Sequence, residues 1–315
     1  MDELRSFSIP QWQRLAPLAA RPPFRHMGQM RIVLAIAAAL LAFAANSLLC
    51  RAALGRGAAD AASFTAVRLA SGAAALLFLS RRGGGARGGS WPSAAALFVY
   101  AAAFSFAYFS LSAGVGALLL FGAVQITMIG AGIAAGERPP PSVWAGLVLA
   151  LGGLAHLSLR GARVPSPGGT ALMLAAGAAW GIYSLRGRRA GPPLLATADN
   201  FLRAAPLAAA LWIPMALAGA IHMTAAGAAL ALASGAVTSG LGYVAWYSAL
   251  PHLTAARAAV LQLSVPVLAA AGGVLLLGEV LTARLVVAGA AILAGIALAT
   301  LSSARPSESR TARAA

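Results

Sequence analysis

Two arginines stand inside apolar stretches of this sequence, where a charged side chain has little water around it. Arg68 lies in the apolar run 61–80 and Arg203 in the run 194–216. Burying such a charge is costly, so by default it marks a binding site, an ion pathway or a gate. The structural alternative is that each guanidinium snorkels to a membrane surface or hydrogen-bonds carbonyl groups at a helix end.

Two glutamates, Glu137 and Glu279, each close an apolar run directly after a glycine. A carboxylate at the carboxyl end of a helix opposes the helix dipole, so another interaction must hold it there. We expect each glutamate to cap the helix that follows it, and proton coupling is the alternative role. Asp60 stands directly before the run 61–80 and is expected to cap the amino end of that helix.

Aromatic and amide side chains recur within other apolar runs. Tyr100, Phe104 and Tyr108 are four residues apart and share one helix face, and Tyr243 and Tyr247 repeat this spacing. An unpaired amide in hydrocarbon is costly, so such groups are expected to face protein or water. Interhelical hydrogen bonds and interfacial aromatic belts are the structural alternatives. The predicted substrate-binding residues are Asn46, Tyr108, Gln125, Trp180, Tyr183, Tyr243, Trp246 and Gln262.

The sequence offers few residues that could catalyse a reaction or bind a metal ion. Cys50 is the one cysteine and the histidines are scattered, so the sequence predicts no metal site, no cofactor and no enzyme active site. The chain has no lysine, which excludes a lysine-containing phosphate loop and ATP-driven pumping by this chain. Its 23 basic residues form short clusters between apolar runs, a placement that argues against nucleic-acid binding.

The composition places the chain in a membrane, since 60% of its 315 residues are hydrophobic and 10% are charged. A membrane-spanning helix needs about 20 mostly apolar residues. The sequence therefore predicts an all-α membrane protein of ten transmembrane helices, with the polar segments 1–30 and 303–315 as cytosolic tails, the first of them disordered. The ten apolar runs are 32–54, 61–80, 92–111, 114–136, 143–159, 168–185, 194–216, 225–249, 255–277 and 283–301.

The distribution of arginine predicts the orientation. With the N-terminus inside, most arginines fall in inner segments, such as Arg25, Arg81 and Arg189, and few fall in outer ones, such as Arg56 and Arg163. Positively charged loops stay in the cytoplasm, so both termini are expected there, in a bacterial inner membrane.

Landmarks in the first part of the chain recur in the second part in the same order. The pairs are Arg68 with Arg203, Tyr108 with Tyr247, and Glu137 with Glu279. They predict two repeats, 31–160 and 161–302, of five helices each. Because five is odd, the second repeat is inverted relative to the first, and a substrate is expected at their interface near the middle of the membrane.

Together these features resemble the drug/metabolite transporter superfamily of the EamA-domain type, over residues 31–302. The resemblance implies a central cavity lined chiefly by helices one, three, four, six, eight and nine. Arg68 and Arg203 lie in helices two and seven, so we expect structural or gating roles for them, as for Glu137 and Glu279. The family often has Trp-Gly near the end of helix one, where this chain has Asn46-Ser47; Trp180-Gly181 keeps the pair in helix six.

The resemblance also implies transport, often export, of amino acids or other small metabolites. We expect a secondary transporter that exports a neutral or zwitterionic, amino-acid-like metabolite by alternating access, as a monomer or homodimer in the lipid bilayer. Import, or carriage of a sugar or drug, is the alternative within transport. A non-transporting membrane scaffold and an unrecognised membrane enzyme are the alternatives outside it.

Overall fold

The structure, a computed structural model, describes residues 26–81, 88–134, 140–159, 165–187, 191–253, 261–262 and 264–301. The helices in these ranges are α1 (His26–Gly55), α2 (Ala61–Ser80), α3 (Trp91–Tyr108), α4 (Ala113–Ala134), α5 (Pro141–Leu159), α6 (Pro167–Gly187), α7 (Pro193–Leu217), α8, α9 (Ser264–Leu277) and α10 (Ala283–Leu301). Helix α8 is a continuous rod made of Ala225–Ala233, a π-helical stretch Ser234–Leu241, Gly242–Ala249 and a last 3₁₀ turn Leu250–His252. The described ranges contain no strand, so the predicted all-helical class is confirmed.

Among the described residues, six helices are long and apolar enough to cross a membrane. They are Met30–Gly55, Ala61–Ser80, Trp91–Tyr108, Ala113–Ala131, Pro193–Leu217 and Ala225–His252. Three shorter apolar helices accompany them, at Pro141–Gly153, Ser264–Leu277 and Ala283–Gly295. The protein is therefore a multi-pass membrane protein. The count of ten crossings, the inversion of the repeats and the cytoplasmic termini stay predictions.

Helix starts follow local capping chemistry. The Asp60 carboxylate accepts the N–H of Ser63 at 2.8 Å, and Thr224 caps α8 by accepting the N–H of Gly227 at 3.1 Å. Asp60 also accepts the backbone N–H of His222 at 2.7 Å, which ties the start of α2 to the segment before α8. Partial burial of this carboxyl acts to raise its pKa, but the hydrogen bonds from Ser63 and His222 outweigh it and lower the pKa of Asp60.

The helices pack across the predicted repeats rather than within each one. Helix α2 packs on α7, α3 on α6, and α5 on α10, while α1 lies against α8 and α9. Small residues permit close approach. A Cβ added at Gly177 of α6 would overlap the Leu120 carbonyl of α4, and one added at Gly235 of α8 would overlap the Arg68 carbonyl of α2. These contacts bring α1, α2, α3, α6 and α8 around one buried region.

The π-helical stretch of α8 faces this region. It carries Ser234, Thr238 and Ser239, which are buried although their helix is otherwise apolar. A π-helical turn is wider than an α-helical one and is frequent at functional sites. Here it presents three hydroxyl groups toward α1 and α2.

Candidate functional site

Arg68 is the most deeply buried charged residue in the described part of the chain, with 1% of its surface exposed. Its Nε donates to Ser239 Oγ at 3.0 Å, and its Nη2 donates to the hydroxyls of Tyr100 at 3.0 Å and Tyr243 at 3.1 Å. The snorkelling interpretation is therefore wrong for Arg68. Its side chain runs between α2, α3 and α8 to hydroxyl groups instead of toward a surface or a helix-end carbonyl.

The charge of Arg68 is only partly satisfied. Its Nη1 is buried, and no described residue accepts a hydrogen bond from it. The ion pairs between described residues are Arg51–Glu279 and Arg203–Asp199, so no described carboxylate neutralises Arg68. The compensation consists of tyrosine and serine hydroxyls and of the faces of Tyr100 and Phe104, whose ring centres lie 5.0 and 5.1 Å from the guanidinium carbon.

The Tyr100 hydroxyl is a junction between helices, because it also accepts a hydrogen bond from Asn46 Nδ2 at 3.3 Å. The other end of the Asn46 amide accepts from Ser234 Oγ at 2.7 Å and from Thr238 Oγ1 at 3.1 Å. One polar network thus joins α1, α2, α3 and α8. We call it the central cluster; its members are Asn46, Arg68, Tyr100, Ser234, Thr238, Ser239 and Tyr243.

Aromatic side chains wall the central cluster. Trp180 of α6 stacks at a tilt on Tyr100 and Tyr243, with ring centres 5.0 and 4.7 Å away. Phe43 of α1 meets Trp180, Tyr243 and Trp246 edge-on at 5.7 to 5.9 Å. Each contact joins different helices, so the walls come from α1, α3, α6 and α8.

A small cavity borders the cluster, with a volume of about 10 Å³. Its lining residues are Phe43, Ser47, Tyr100, Phe104, Leu120, Phe121 and Trp180. That volume holds about one water molecule. A metabolite of several heavy atoms does not fit in this cavity, whose lining is mostly aromatic.

Four of the eight predicted substrate-binding residues meet at this place: Asn46, Trp180, Tyr243 and Trp246. Two more lie beside them. Tyr183 packs 5.7 Å from Trp180, and Tyr108 packs edge-on against Phe104 at 4.7 Å. The remaining two, Gln125 and Gln262, are buried to 3% and 2% exposure, and each leaves one amide atom without a described partner. No described contact brings either amide to the central cluster.

Glu279 caps a helix, but a different one from the helix expected. Its carboxylate accepts the backbone N–H of Ala113, the first residue of α4, at 2.9 and 3.0 Å. It also lies 3.4 Å from Nε of Arg51, whose Nη1 donates to the Tyr108 carbonyl at the end of α3. The amino end of α4 attracts the carboxylate because its N–H groups are unpaired and its dipole end is positive. Glu137 lies outside the described residues.

Two further polar contacts lie at the opposite end of α3. Asp199 of α7 accepts the Gly89 N–H at 3.1 Å, and Asn200 accepts the Ser90 N–H at 3.0 Å. Arg203 pairs with Asp199 at 3.2 Å, and its side chain is 31% exposed. Arg203 is thus partly exposed and has its own carboxylate, unlike Arg68.

Several residues of the cluster were absent from the sequence prediction. Tyr100 belonged to the recognised aromatic stripe, but its hydroxyl was not assigned to the site. Ser234, Thr238 and Ser239 were not singled out, although three hydroxyls within six residues of an apolar run are a usable signal. Phe43 has no signal beyond its position three residues before Asn46.

Comparisons with known proteins bear on this arrangement. Residues 167–301 match the EamA-like transporter family. An uncharacterized protein of Pseudomonas aeruginosa is 57% identical over 275 residues, which is 86% of this chain and 95% of that protein. A protein of known crystal structure superimposes with a TM-score of 0.60 at 22% identity, covering 84% of this chain and 98% of its own. At that identity the superposition shows a shared fold.

Proposed function

Because the chain belongs to the EamA-like transporter family of the drug/metabolite transporter superfamily, we propose that it is a secondary transporter that binds one small metabolite at the central cluster. The observation that carries this proposal is a buried polar and aromatic site at the meeting point of α1, α2, α3, α6 and α8. Close packing alone does not require a buried arginine, because an apolar side chain of similar volume would fill the space at no desolvation cost. A polar site of this kind in a membrane protein is expected to serve a ligand.

Two contacts at opposite ends of α3 support alternating access as the mechanism. Glu279 joins the Ala113 N–H after α3, and Asp199 joins the Gly89 N–H before it. Between these two contacts lies the central cluster, and the cavity of about 10 Å³ beside it is too small for a metabolite. We propose that one contact opens at a time, so that the site faces each side of the membrane in turn.

For the substrate we propose a small zwitterionic metabolite of the amino-acid type, exported across a bacterial inner membrane. The aromatic walls offer faces to an apolar side chain or an ammonium group. The sequence predicted no charge at the centre of the site, whereas Arg68 lies in the central cluster, so its charge now bears on the choice of substrate. A phosphate ester suits the site poorly, since a dianion calls for several cations and Arg68 stands there alone among the described residues.

The decisive experiment is counterflow of radiolabelled metabolites in proteoliposomes that contain the full-length protein. We expect saturable exchange of at least one zwitterion, and a Tyr243→Ala variant that loses most of the flux while reaching the membrane in normal amount. The matched control is Phe78→Ala, because Phe78 is an aromatic residue of α2 with 69% of its surface exposed. Absence of saturable exchange across a broad panel of metabolites would favour the scaffold or enzyme hypothesis instead.

A further inference from the structure

We infer that Arg68 anchors the carboxylate group of the transported molecule. The substrate class is then a monocarboxylate with an apolar or aromatic body, either an amphipathic amino acid or the corresponding organic acid. This inference rests on the proposed function and deepens it, because it assigns the recognition of charge to one residue of helix α2.

The charge of Arg68 favours an anionic ligand. Arg68 carries a full positive charge with 1% of its surface exposed, and no described carboxylate pairs with it. Hydroxyl groups and ring faces orient dipoles toward the charge but do not cancel it. An unpaired buried charge is strongly unfavourable, whereas one paired and hydrogen-bonded with a counter-ion is much less so. The uncompensated charge of Arg68 therefore suits one monovalent anion.

The shape of the Arg68 guanidinium group also favours a carboxylate. The guanidinium group is a planar fork that matches the two oxygens of a carboxylate. At one edge Nη1 has no hydrogen-bond partner among the described residues, and Nη2 is held by the hydroxyls of Tyr100 and Tyr243. A carboxylate that arrives at this edge takes Nη1 with one oxygen and competes with the two hydroxyls for Nη2 with the other. Trp180 and Phe43, which border the small cavity beside the cluster, offer apolar surface for its body.

The same exchange couples binding to movement. In this structure Arg68 joins α2 to Tyr100 on α3 and to Ser239 and Tyr243 on α8. A ligand that takes Nη2 releases one or both tyrosines and so loosens the contact of α3 with α8. When Tyr100 or Tyr243 releases Arg68 and moves aside, its ring leaves the room that a metabolite needs.

The test compares acids with their amides as competitors of counterflow in proteoliposomes that contain the full-length protein. The pairs are L-phenylalanine with L-phenylalaninamide, L-leucine with L-leucinamide, and 3-phenylpropionate with 3-phenylpropionamide. A hydrogen bond to a charged group is worth enough that we expect each amide to compete about tenfold to hundredfold more weakly than its acid. Competition by 3-phenylpropionate shows that the carboxylate suffices; competition by amino acids alone shows that the ammonium is recognised as well.

Variants assign the preference to Arg68. Arg68→Gln removes the charge and should abolish the difference between acids and amides, while Arg68→Lys should keep a reduced preference because it keeps the charge without the fork. Arg56→Gln is the control, since Arg56 is an exposed arginine in the segment after α1. Should the variants fail to fold, the acid and amide series on the unaltered protein still decides the substrate class.

Two outcomes overturn the inference while leaving the proposed function intact. One is saturable counterflow in which amides compete as well as acids. The other is a folded Arg68→Gln protein that still prefers acids to the same extent as the unaltered protein. Absence of any saturable counterflow is a different result, because it removes the proposed function itself.

Discussion

Replacing Tyr100 by phenylalanine is the most direct probe of the central cluster. The substitution keeps the ring, and with it the packing on Phe104 and Trp180 at 5.3 and 5.0 Å. It removes one oxygen, which accepts hydrogen bonds from Arg68 Nη2 at 3.0 Å and from Asn46 Nδ2 at 3.3 Å. After the change, Asn46 Nδ2 has no acceptor among its described contacts, whereas Arg68 Nη2 keeps Tyr243.

The expected loss follows from these two bonds. A hydrogen bond to a charged group contributes about 1.5 to 3 kcal/mol, and a buried donor left unpaired costs about 1 to 3 kcal/mol. Taking the lower part of each range gives a loss of about 3 kcal/mol in the free energy of unfolding for Tyr100→Phe. Tyr243→Phe removes the hydrogen bond from Arg68 but leaves Arg68 Nη2 paired with Tyr100, so we expect about half as much, or about 1.5 kcal/mol.

The assay is denaturation of the purified full-length protein in mixed detergent micelles, followed by tryptophan fluorescence and circular dichroism. The two single variants and the double variant form a cycle, and their coupling should be positive because both hydroxyls share Arg68 Nη2. If Tyr243→Phe costs as much as Tyr100→Phe, or if neither changes stability, the described network does not hold Arg68 and the argument fails.

Three further predictions address the packing, the cap and the pH response. Gly235→Ala should destabilise the fold, because the added Cβ overlaps the Arg68 carbonyl. Gly152→Ala should be neutral, since no atom lies within 4 Å of the added carbon, and thermal unfolding of both variants measures the difference. Glu279→Gln should lower the free energy of unfolding by about 1 kcal/mol, through loss of charge at the start of α4, and the same denaturation assay measures it. Because the pKa of Asp60 is lower in the folded protein than in the unfolded chain, its contribution is present above the unfolded pKa of about 3.9 and is lost as the pH falls through the folded pKa. The melting temperature of Asp60→Asn should accordingly depend less on pH in that acidic range than that of the unaltered protein.

The helices were predictable because their ends carry strong local chemistry. The run 61–80 starts after Asp60 and ends before consecutive arginines, and α2 occupies the same residues. The run 283–301 likewise coincides with α10. The π-helical stretch of α8 was not predicted, since it depends on contacts with α1 and α2, and Ser234–Leu241 has no pattern of its own that distinguishes it from an α-helix.

The position of Arg68 was not predictable for a related reason. Helix α2 is rich in alanine and leucine on all sides, so no apolar stripe tells which face turns toward the other helices. Depth along a helix also does not fix the end of a long, flexible side chain. The aromatic residues were easier to identify, because the spacing of Tyr100, Phe104 and Tyr108 forces them onto one face whatever that face touches.

Arg68 and Arg203, which the predicted repeat pairs, differ in the residues beside them. Four residues before Arg203, one helical turn away, stands Asp199, and the two side chains form an ion pair. Four residues before Arg68 stands Phe64, which is fully buried and has no charge to offer. Among the described residues, a carboxylate thus pairs with the partly exposed Arg203 and none pairs with the buried Arg68, the reverse of what stability alone favours. This difference is understandable if the missing carboxylate arrives with the transported molecule.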